Sequence, residues 1–323
     1  MHIKSFFSKL FAKVVVAQTK KWSSQPIKSQ ERVFKKLLAS ASKTAFAKEH
    51  YFSEVRTYED FKKRVPVRDY EGFRPYIERI KEGEEDVLWI GRPLFFAKTS
   101  GTTSGVKYIP LTKESLKMQI KSARNALLHY IYYSGSSSIM EGKMIFLQGS
   151  PVLNSSGIVP SGRLSGVVAN YVPSYLHNNR LPSYETNCID DWEKKVDAII
   201  EETKYEDMRL ISGIPSWVQM YMERLKKDQE QNIGDVFSNF SLFVYGGVNY
   251  EPYRNNFEQL IGREVDTLEL YPASEGFIAF QDRYNKKGLL LQLDSGIFYE
   301  FIPAGEFYNN KPSRISLKDV QLG

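Results

Sequence analysis

The segment best suited to bind an anion lies between two lysines and combines hydroxyl side chains with glycines. It reads Lys98-Thr99-Ser100-Gly101-Thr102-Thr103-Ser104-Gly105-Val106-Lys107. The glycines let the backbone turn tightly and bring N–H groups close to an anion, and the hydroxyls donate hydrogen bonds to phosphate oxygens. Lys107 adds a mobile positive charge. The combination predicts a phosphate-binding loop, and the alternative is a Ser/Thr-rich surface loop.

The elements on either side of this segment favour a phosphate-binding loop over a surface loop. A short apolar strand is predicted at residues 95–97, and a helix with apolar residues at 116, 120, 123, 127 and 131 follows, with Thr112 as its N-cap. Strand, loop and helix in this order direct helix N–H groups towards a phosphate. The loop is not a Walker motif, because Val106 precedes Lys107 and Tyr108 follows it. Neither the dinucleotide-binding glycine pattern nor a hydrolase nucleophile elbow is present.

Composition excludes several classes of protein. The chain has 323 residues, of which 42% are hydrophobic and 25% charged, as expected of a globular protein with a sizeable core. The single cysteine, Cys188, excludes a disulfide framework and a cysteine-based zinc site, and the four histidines are too scattered for a metal cluster. No apolar run approaches the ~20 residues of a membrane span. Without a secretory signal, a cytoplasmic location is expected.

Positive charge is concentrated at the N-terminus. Residues 1–48 contain ten lysines and Arg32 against one acid, Glu31, a net charge of +10 in a chain whose total is +6. The first helix carries Ile3, Phe6, Phe7, Leu10, Phe11 and Val14 at helical spacing. We expect this apolar stripe to pack on the core with the lysines in water. The alternative is a basic arm that docks on anionic lipid or nucleic acid.

The pattern of elements predicts an α/β fold. Helices dominate the first ~90 residues, after which buried-type strands at 144–147, 209–212, 242–245 and 267–271 alternate with helices. Residues 149–185 read as a long irregular segment. Strands at 277–281, 289–293 and 297–302 suggest a late antiparallel meander. We therefore expect mostly parallel sheets flanked by helices, with helical residues 1–90 packed on a main domain of residues 91–323.

Several motifs together resemble one known family. The Thr99–Lys107 loop is similar to the phosphate loop of the adenylate-forming superfamily of acyl-CoA synthetases and luciferases, although its glycine sits one place later and Val106 replaces a proline. The extension Lys107-Tyr108-Ile109-Pro110-Leu111-Thr112 resembles the Gretchen Hagen branch of auxin-responsive acyl-acid amido synthetases and their bacterial relatives. Further matches are Val65-Pro66-Val67 with Tyr70-Glu71, Gly213-Ile214-Pro215-Ser216-Trp217, Gly246-Gly247-Val248 with Pro252-Tyr253, Tyr271-Pro272-Ala273-Ser274-Glu275-Gly276 and Phe298-Tyr299-Glu300-Phe301-Ile302-Pro303.

The resemblance implies a luciferase-like large N-terminal domain and a ligase that uses ATP and Mg²⁺. Such enzymes join a carboxylic acid to AMP with release of pyrophosphate, and an amino acid amine then displaces AMP. The partners implied are small molecules, with neither nucleic acid nor integral membrane association. The residues implied to bind ATP are Ser100, Gly101, Thr102, Thr103, Gly105, Lys107, Gly246, Gly247, Val248, Tyr271 and Ser274.

Roles follow from the resemblance residue by residue. Lys107 and the loop would hold the β- and γ-phosphates, Gly246-Gly247-Val248 and Tyr271 the adenine, Ser274 the α-phosphate and Glu275 the Mg²⁺. Lys107, Ser274 and Glu275 form the implied catalytic set. Each residue also has a structural alternative, in which the glycines form only a turn, Tyr271 is a core aromatic and Glu275 is a helix cap or a surface acid.

Two further residues are candidates for substrate contact. Arg124, on the helix after the loop, either meets a substrate carboxylate or lies in solvent. Trp217 lines either the core or an acyl pocket.

The family's later Tyr-Arg-x-Gly-Asp motif and its mobile C-terminal lid have no counterpart in this sequence. A strand pattern begins at residue 315 and the chain stops at Gly323, so we expect a truncated copy of the enzyme. Without a lid that excludes water, weak or absent nucleotide affinity and little amide synthesis are expected. The alternative is a non-catalytic nucleotide- or acyl-binding remnant, or a partner protein.

Overall fold

The computed structural model describes residues 3–100, 105–169, 171, 178–309 and 311–321. The helices described are α1 (Ile3–Ser23), α2 (Pro26–Ala41), α3 (Ala45–Glu49), α4 (Tyr58–Arg64), α5 (Tyr70–Lys81), α6 (Lys113–Ser134), α7 (Leu164–Ala169), α8 (Tyr184–Asn187), α9 (Trp192–Thr203), α10 (Pro215–Gln229), α11 (Ile233–Val236) and α12 (Arg254–Ile261). The strands described are β1 (Phe95–Ser100), β2 (Val106–Leu111), β3 (Lys143–Phe146), β4 (Ser161–Gly162), β5 (Arg180–Leu181), β6 (Met208–Ser212), β7 (Leu242–Gly246), β8 (Asp266–Ala273), β9 (Gly276–Phe280), β10 (Leu290–Leu291), β11 (Glu300–Phe301) and β12 (Ile315–Ser316).

A seven-stranded sheet in the order β10-β9-β8-β7-β6-β3-β5 organises the described part of the chain. Five neighbouring strands are parallel, namely β5, β3, β6, β7 and β8. Strand β9 is antiparallel to both β8 and β10. Helices connect the parallel strands, as a parallel sheet requires. This arrangement confirms the expected α/β fold with a late antiparallel segment.

Side chains of the central strands alternate between two cores on opposite faces of this sheet. On β7, Phe243 and Tyr245 pack with α9, α10 and α12, whereas Leu242 and Val244 pack with α1 and α6. The period of two follows from the pleat of a β-strand. The sheet is therefore covered by helices on both faces.

The loop motif lies on a separate small sheet. β1 and β2 form an antiparallel hairpin, and β1 also pairs in parallel with β4. Helix α6 begins directly after β2, where the Thr112 hydroxyl accepts from the Ser115 backbone N–H and the Ser115 hydroxyl accepts from the Thr112 N–H. The predicted N-cap at Thr112 is thus confirmed.

Helix α1 forms as predicted, but the expectation about its buried face is wrong. The buried face carries Ser5, Ser8, Ala12, Val15, Val16 and Thr19, which pack towards the body of the protein. The large apolar side chains of the predicted stripe are exposed, namely Phe6, Phe7, Leu10, Phe11 and Val14. Small side chains let α1 approach α6 closely, so the inward face is the one with less bulk.

Two other expectations need correction. The segment at residues 149–185, expected to be irregular, contains the short elements β4, α7, β5 and α8 in its described part. The third strand of the predicted meander, β11, does not join the large sheet but pairs antiparallel with β12 in a two-stranded sheet. None of the helices in the described ranges is long and apolar enough to cross a membrane.

Candidate active site

Two of the predicted nucleotide segments meet at the carboxyl edge of the large sheet. Gly246 ends β7 and lies in register with Leu270 of β8. Tyr271 follows directly, and the turn Ser274-Glu275 joins β8 to β9, where Ala273 pairs with Gly276. Ligands of open α/β sheets bind outside the carboxyl ends of parallel strands. The Gly246–Val248 segment and the Tyr271–Gly276 motif therefore lie together at the position where such a fold binds its ligand.

Gly246 and Gly247, at the end of β7, are favoured over other residues for different reasons. A Cβ at Gly246 would lie 2.4 Å from the Leu270 carbonyl oxygen, so the close approach of the neighbouring strand excludes a side chain. Gly247 has φ +84° with no atom within 4 Å of an added Cβ, so the left-handed backbone is what favours glycine there. The requirement at Gly246 is thus one of strand packing. Val248 follows with its side chain exposed.

Tyr271 is exposed at the end of β8, with 52% of its surface accessible. The alternative of a core aromatic is therefore excluded. An aromatic ring in this position is free to stack on a planar base.

The turn that follows β8 is held by the helix after the loop motif. The Gln119 side-chain amide nitrogen donates to the Ala273 carbonyl oxygen at 2.7 Å. Gln119 is buried on α6 although it is polar, and this contact explains why. Sequence analysis missed Gln119, and its signal was a polar residue between the predicted apolar positions 116 and 123.

Glu275 is exposed on the wall of a cavity of about 440 Å³. The cavity wall also includes Pro110 of β2 and Thr112, the N-cap of α6, and an ion pair of 2.7 Å joins Arg32 to Asp294 there. Among the described residues, the Glu275 carboxylate has no hydrogen-bond or ion-pair partner. It is therefore available to a cation.

The hairpin that carries the loop is described on both sides of its tip. Ser100 pairs with Val106 and Thr99 with Lys107, and Gly105 has φ +76° in open space. The predicted ligands Gly101, Thr102 and Thr103 lie outside the described residues.

Lys107 faces α5. Its Nζ lies 5.6 Å from the ring centre of Tyr70, whose hydroxyl accepts from the Tyr108 backbone N–H at 2.8 Å. Hydrogen bonds from Arg74, and to a lesser degree the charge of Lys107, hold the pKa of Glu71 below its usual value. The wall of the Glu275 cavity includes the end of β2 but not Lys107. Lys107 and Glu275 thus belong to adjoining regions joined through β2 and α6.

The two proposed substrate contacts lie apart from each other. The Arg124 guanidinium stacks on the Phe11 ring at 5.0 Å and donates to the Asn125 side chain at 3.1 Å, so it faces α1. Trp217, two residues into α10, is half-buried with its ring 4.7 Å from that of Trp192. Arg124 is thus neither a solvent-exposed residue nor a neighbour of Trp217.

Comparisons with known proteins agree with this fold. Residues 15–174 match the model of the GH3 family N-terminal domain. The indole-3-acetic acid-amido synthetase GH3.15 of Arabidopsis thaliana is 39% identical over 119 residues, 36% of this chain and 19% of that protein. The indoleacetate–lysine synthetase of Pseudomonas savastanoi is 24% identical over 230 residues, 69% of this chain and 48% of that protein.

Solved structures extend the similarity in fold over nearly the whole chain. The AtGH3.15 acyl acid amido synthetase in complex with 2,4-DB superposes with a TM-score of 0.77 at 16% identity, covering 97% of this chain and 63% of that one. A 2-hydroxyisobutyryl-CoA ligase gives a TM-score of 0.58 at 12% identity, covering 87% and 56%. This chain therefore spans less than two thirds of these relatives. Residues 15–174 are thus similar to the GH3 family N-terminal domain, and the chain shares its fold with an acyl acid amido synthetase and a CoA ligase.

Proposed function

We propose that this chain forms the nucleotide-binding part of an adenylating acid–amino acid ligase. A carboxylate oxygen of the acid attacks the α-phosphorus of ATP, pyrophosphate leaves, and the amine of an amino acid then displaces AMP to form an amide. The observation that carries the proposal is the Gln119–Ala273 hydrogen bond, because it ties the helix after the phosphate-loop hairpin to the Tyr271–Glu275 motif. Both motifs can then act on one nucleotide.

The phosphate end of ATP is assigned to the hairpin tip. Ser100, Gly101, Thr102, Thr103, Gly105 and Lys107 make up this set. The left-handed turn at Gly105 supports it, because such a turn exposes backbone N–H groups to an anion. The substrate carboxylate and the ATP phosphates are both negative and repel each other. The Lys107 ammonium supplies positive charge that reduces this repulsion during the attack.

Adenine and the α-phosphate are assigned to the carboxyl edge of the sheet. The exposed ring of Tyr271 stacks on adenine next to the turn at Gly246, Gly247 and Val248, and the half-buried Ser274 donates its hydroxyl to the α-phosphate. Exposure of Tyr271 supports this assignment.

A Mg²⁺ ion fits the chemistry of Glu275. Mg²⁺ prefers one or two carboxylates together with phosphate oxygens and water. Glu275 is an exposed, unpaired carboxylate, and no group of three His, Cys, Asp or Glu residues in the described ranges offers a protein cage. The ion would therefore need the nucleotide's phosphates as its other ligands, and its charge would neutralise them.

The remaining assignments follow from the same proposal. Trp217, beside the carboxyl end of β6, lines the acyl pocket, whereas the contact of Arg124 with Phe11 argues against a role for Arg124 at the substrate carboxylate. Helical residues 1–90 pack on a main domain of residues 91–323, as the shared core of Ala12 and Val15 with Leu242 supports. The proposal includes a cytoplasmic location, which suits a chain whose single cysteine, Cys188, is free.

The test combines binding with turnover on the 323-residue chain. Calorimetry with ATP and Mg²⁺ measures binding, and exchange of labelled pyrophosphate into ATP over a panel of acids, including indole-3-acetate, measures adenylation. Exchange that depends on an acid supports the ligase. Binding of ATP without exchange assigns a non-catalytic nucleotide-binding protein, and ATP binding that the Lys107→Ala substitution leaves unchanged overturns the assignment of the nucleotide site.

A further inference from the structure

Helix α1 carries an exposed apolar face on the outside of the protein. Leu10 is 45% exposed, Phe6 45%, Phe7 61%, Phe11 42% and Val14 51%. They lie opposite the buried face that contacts α6. Five large apolar side chains on one exposed helix face form a patch of the kind that marks an interaction site.

Positive charge borders this face on both sides. At 3.6 residues per turn, Lys9, Lys13 and Lys20 follow one edge of the apolar face and Lys4 lies at the other. All four are exposed, and Lys4 donates to the Asn179 side chain. Helix α1 contains no acidic residue. An apolar stripe bordered by cations requires an occupant that is both apolar and anionic.

The neighbouring helix adds to the charge. Lys117, Lys121 and Arg124 recur on α6 at the spacing of one helix face, and Arg124 contacts the ring of Phe11. Basic side chains therefore continue from α1 onto the adjacent surface.

We propose that the exposed face of α1, formed by Phe6, Phe7, Leu10, Phe11 and Val14, binds the surface of a membrane that contains anionic phospholipid. The helix lies in the plane of the interface with its apolar side chains among the acyl chains, while the lysines extend to the phosphates. Attachment of this kind is peripheral and requires no membrane-spanning helix. It is independent of the proposed ligase function.

Two other occupants fit less well. In a dimer through this face, two helices without acids would bring lysines against lysines, which repel each other. Nucleic acid would satisfy the lysines but leave five large apolar side chains in water, because its affinity comes mainly from phosphate contacts.

Vesicle co-sedimentation of the 323-residue chain tests the proposal. The chain is expected to bind vesicles of phosphatidylcholine with phosphatidylserine and to bind pure phosphatidylcholine much less. The double variant Phe7→Ser, Leu10→Ser should lower the partition coefficient by at least about tenfold, since it removes two inserted side chains. Lys9→Ala should lower it about fivefold on the anionic vesicles only.

Tyr205→Ser is the matched control, because it removes an aromatic side chain that is 85% exposed on another surface. It should leave the partition coefficient unchanged. The altered residues are all exposed, and circular dichroism with thermal unfolding verifies that each variant is folded.

Four results would overturn the proposal. The first is equal loss of binding in the Tyr205→Ser control, and the second is no binding to either kind of vesicle. Another is a dimer in analytical ultracentrifugation that the double variant converts to a monomer, which assigns the face to a second copy. The last is binding to a random-sequence DNA duplex, without vesicle binding, that Lys9→Ala weakens and the double variant does not.

Discussion

The side-chain amide of Gln119 and the backbone carbonyl of Ala273 form a 2.7 Å hydrogen bond between residues 154 positions apart. It connects α6, which follows the phosphate-loop hairpin, to the end of β8, where Tyr271 and Glu275 lie. Gln119 is buried and the bond is part-buried, so water has limited access to the Ala273 carbonyl if this donor is lost. The position of the Ser274-Glu275 turn therefore depends on a residue outside every recognised motif.

Replacing Gln119 with leucine should destabilise the protein by about 1–3 kcal/mol, because the half-buried Ala273 carbonyl loses its donor and water has limited access to it. The variant should also bind ATP more weakly, since the turn is no longer held. Urea unfolding and calorimetry measure the two effects. Gln219→Leu, which removes an exposed hydrogen bond to Glu223, should change neither. A Gln119 variant as stable as the wild type would show that the bond is dispensable.

Lys107→Ala should weaken ATP binding about tenfold or more, because hydrogen bonds to charged groups contribute about 1.5–3 kcal/mol each. AMP binding should change much less, since AMP has neither β- nor γ-phosphate. Calorimetric titration with both nucleotides measures the difference.

The control is Lys98→Ala in the opposite strand, where the ammonium lies 5.7 Å from the ring centre of Tyr108. Equal loss of ATP and AMP affinity in the Lys107 variant would contradict the phosphate assignment.

Tyr271→Ala should reduce nucleotide affinity about tenfold, since stacking of a base on an aromatic ring contributes about 1–3 kcal/mol. Stability should stay within about 0.5 kcal/mol, because the ring is exposed. Tyr271→Phe should restore binding. Tyr308→Ala, at a ring that is 93% exposed, is the control for general loss of an exposed aromatic. If alanine at Tyr271 leaves affinity intact, adenine binds elsewhere.

Substitution by alanine should lower the free energy of unfolding by different amounts at Gly246 and Gly247, at the end of β7. Gly246→Ala should cost about 1–3 kcal/mol, because the added Cβ overlaps the Leu270 carbonyl oxygen and the strands must move apart. Gly247→Ala should cost only about 1 kcal/mol, the penalty of a left-handed backbone in open space. Chemical denaturation measures both. The reverse order would show that the β7–β8 contact is looser than described.

His129 should make the protein less stable in mild acid. Burial lowers the pKa of the imidazole, although its contact with the Asp282 carbonyl opposes this. The unfolded chain therefore binds the proton more readily, and stability falls as the pH drops below the ordinary histidine pKa of about 6.5 until the folded-state pKa is passed.

Urea midpoints measured from neutral pH downwards test this. The variant His129→Gln should be less stable at neutral pH, because His129 also bonds the Thr19 hydroxyl of α1 at 3.0 Å. Its stability should depend less on pH in the same window. An unchanged slope would show that another group carries the pH dependence.

Many helices and strands of this protein could be predicted from the sequence because they depend on local interactions. The Thr112 cap, the helices after Pro26 and Pro215 and the parallel strands at 209–212 and 242–245 depend on residues a few positions apart, and all are confirmed. The motif at Tyr271–Gly276 was found through its resemblance to a known family. The pairing of β11 with β12 depends on contacts across an intervening segment, and the meander pattern predicted it wrongly.

The sequence by itself determined that the N-terminal segment is helical and that its large apolar side chains share one face. Only the tertiary structure decided which face is buried. Periodicity records how side chains are distributed around a helix axis, but not the shape of the surface that receives them. Here Ala12 and Val15 share a core with side chains of α6, and Thr19 bonds His129 across 110 positions of the chain. Close approach of two backbones needs small side chains, so the bulky apolar face points outward.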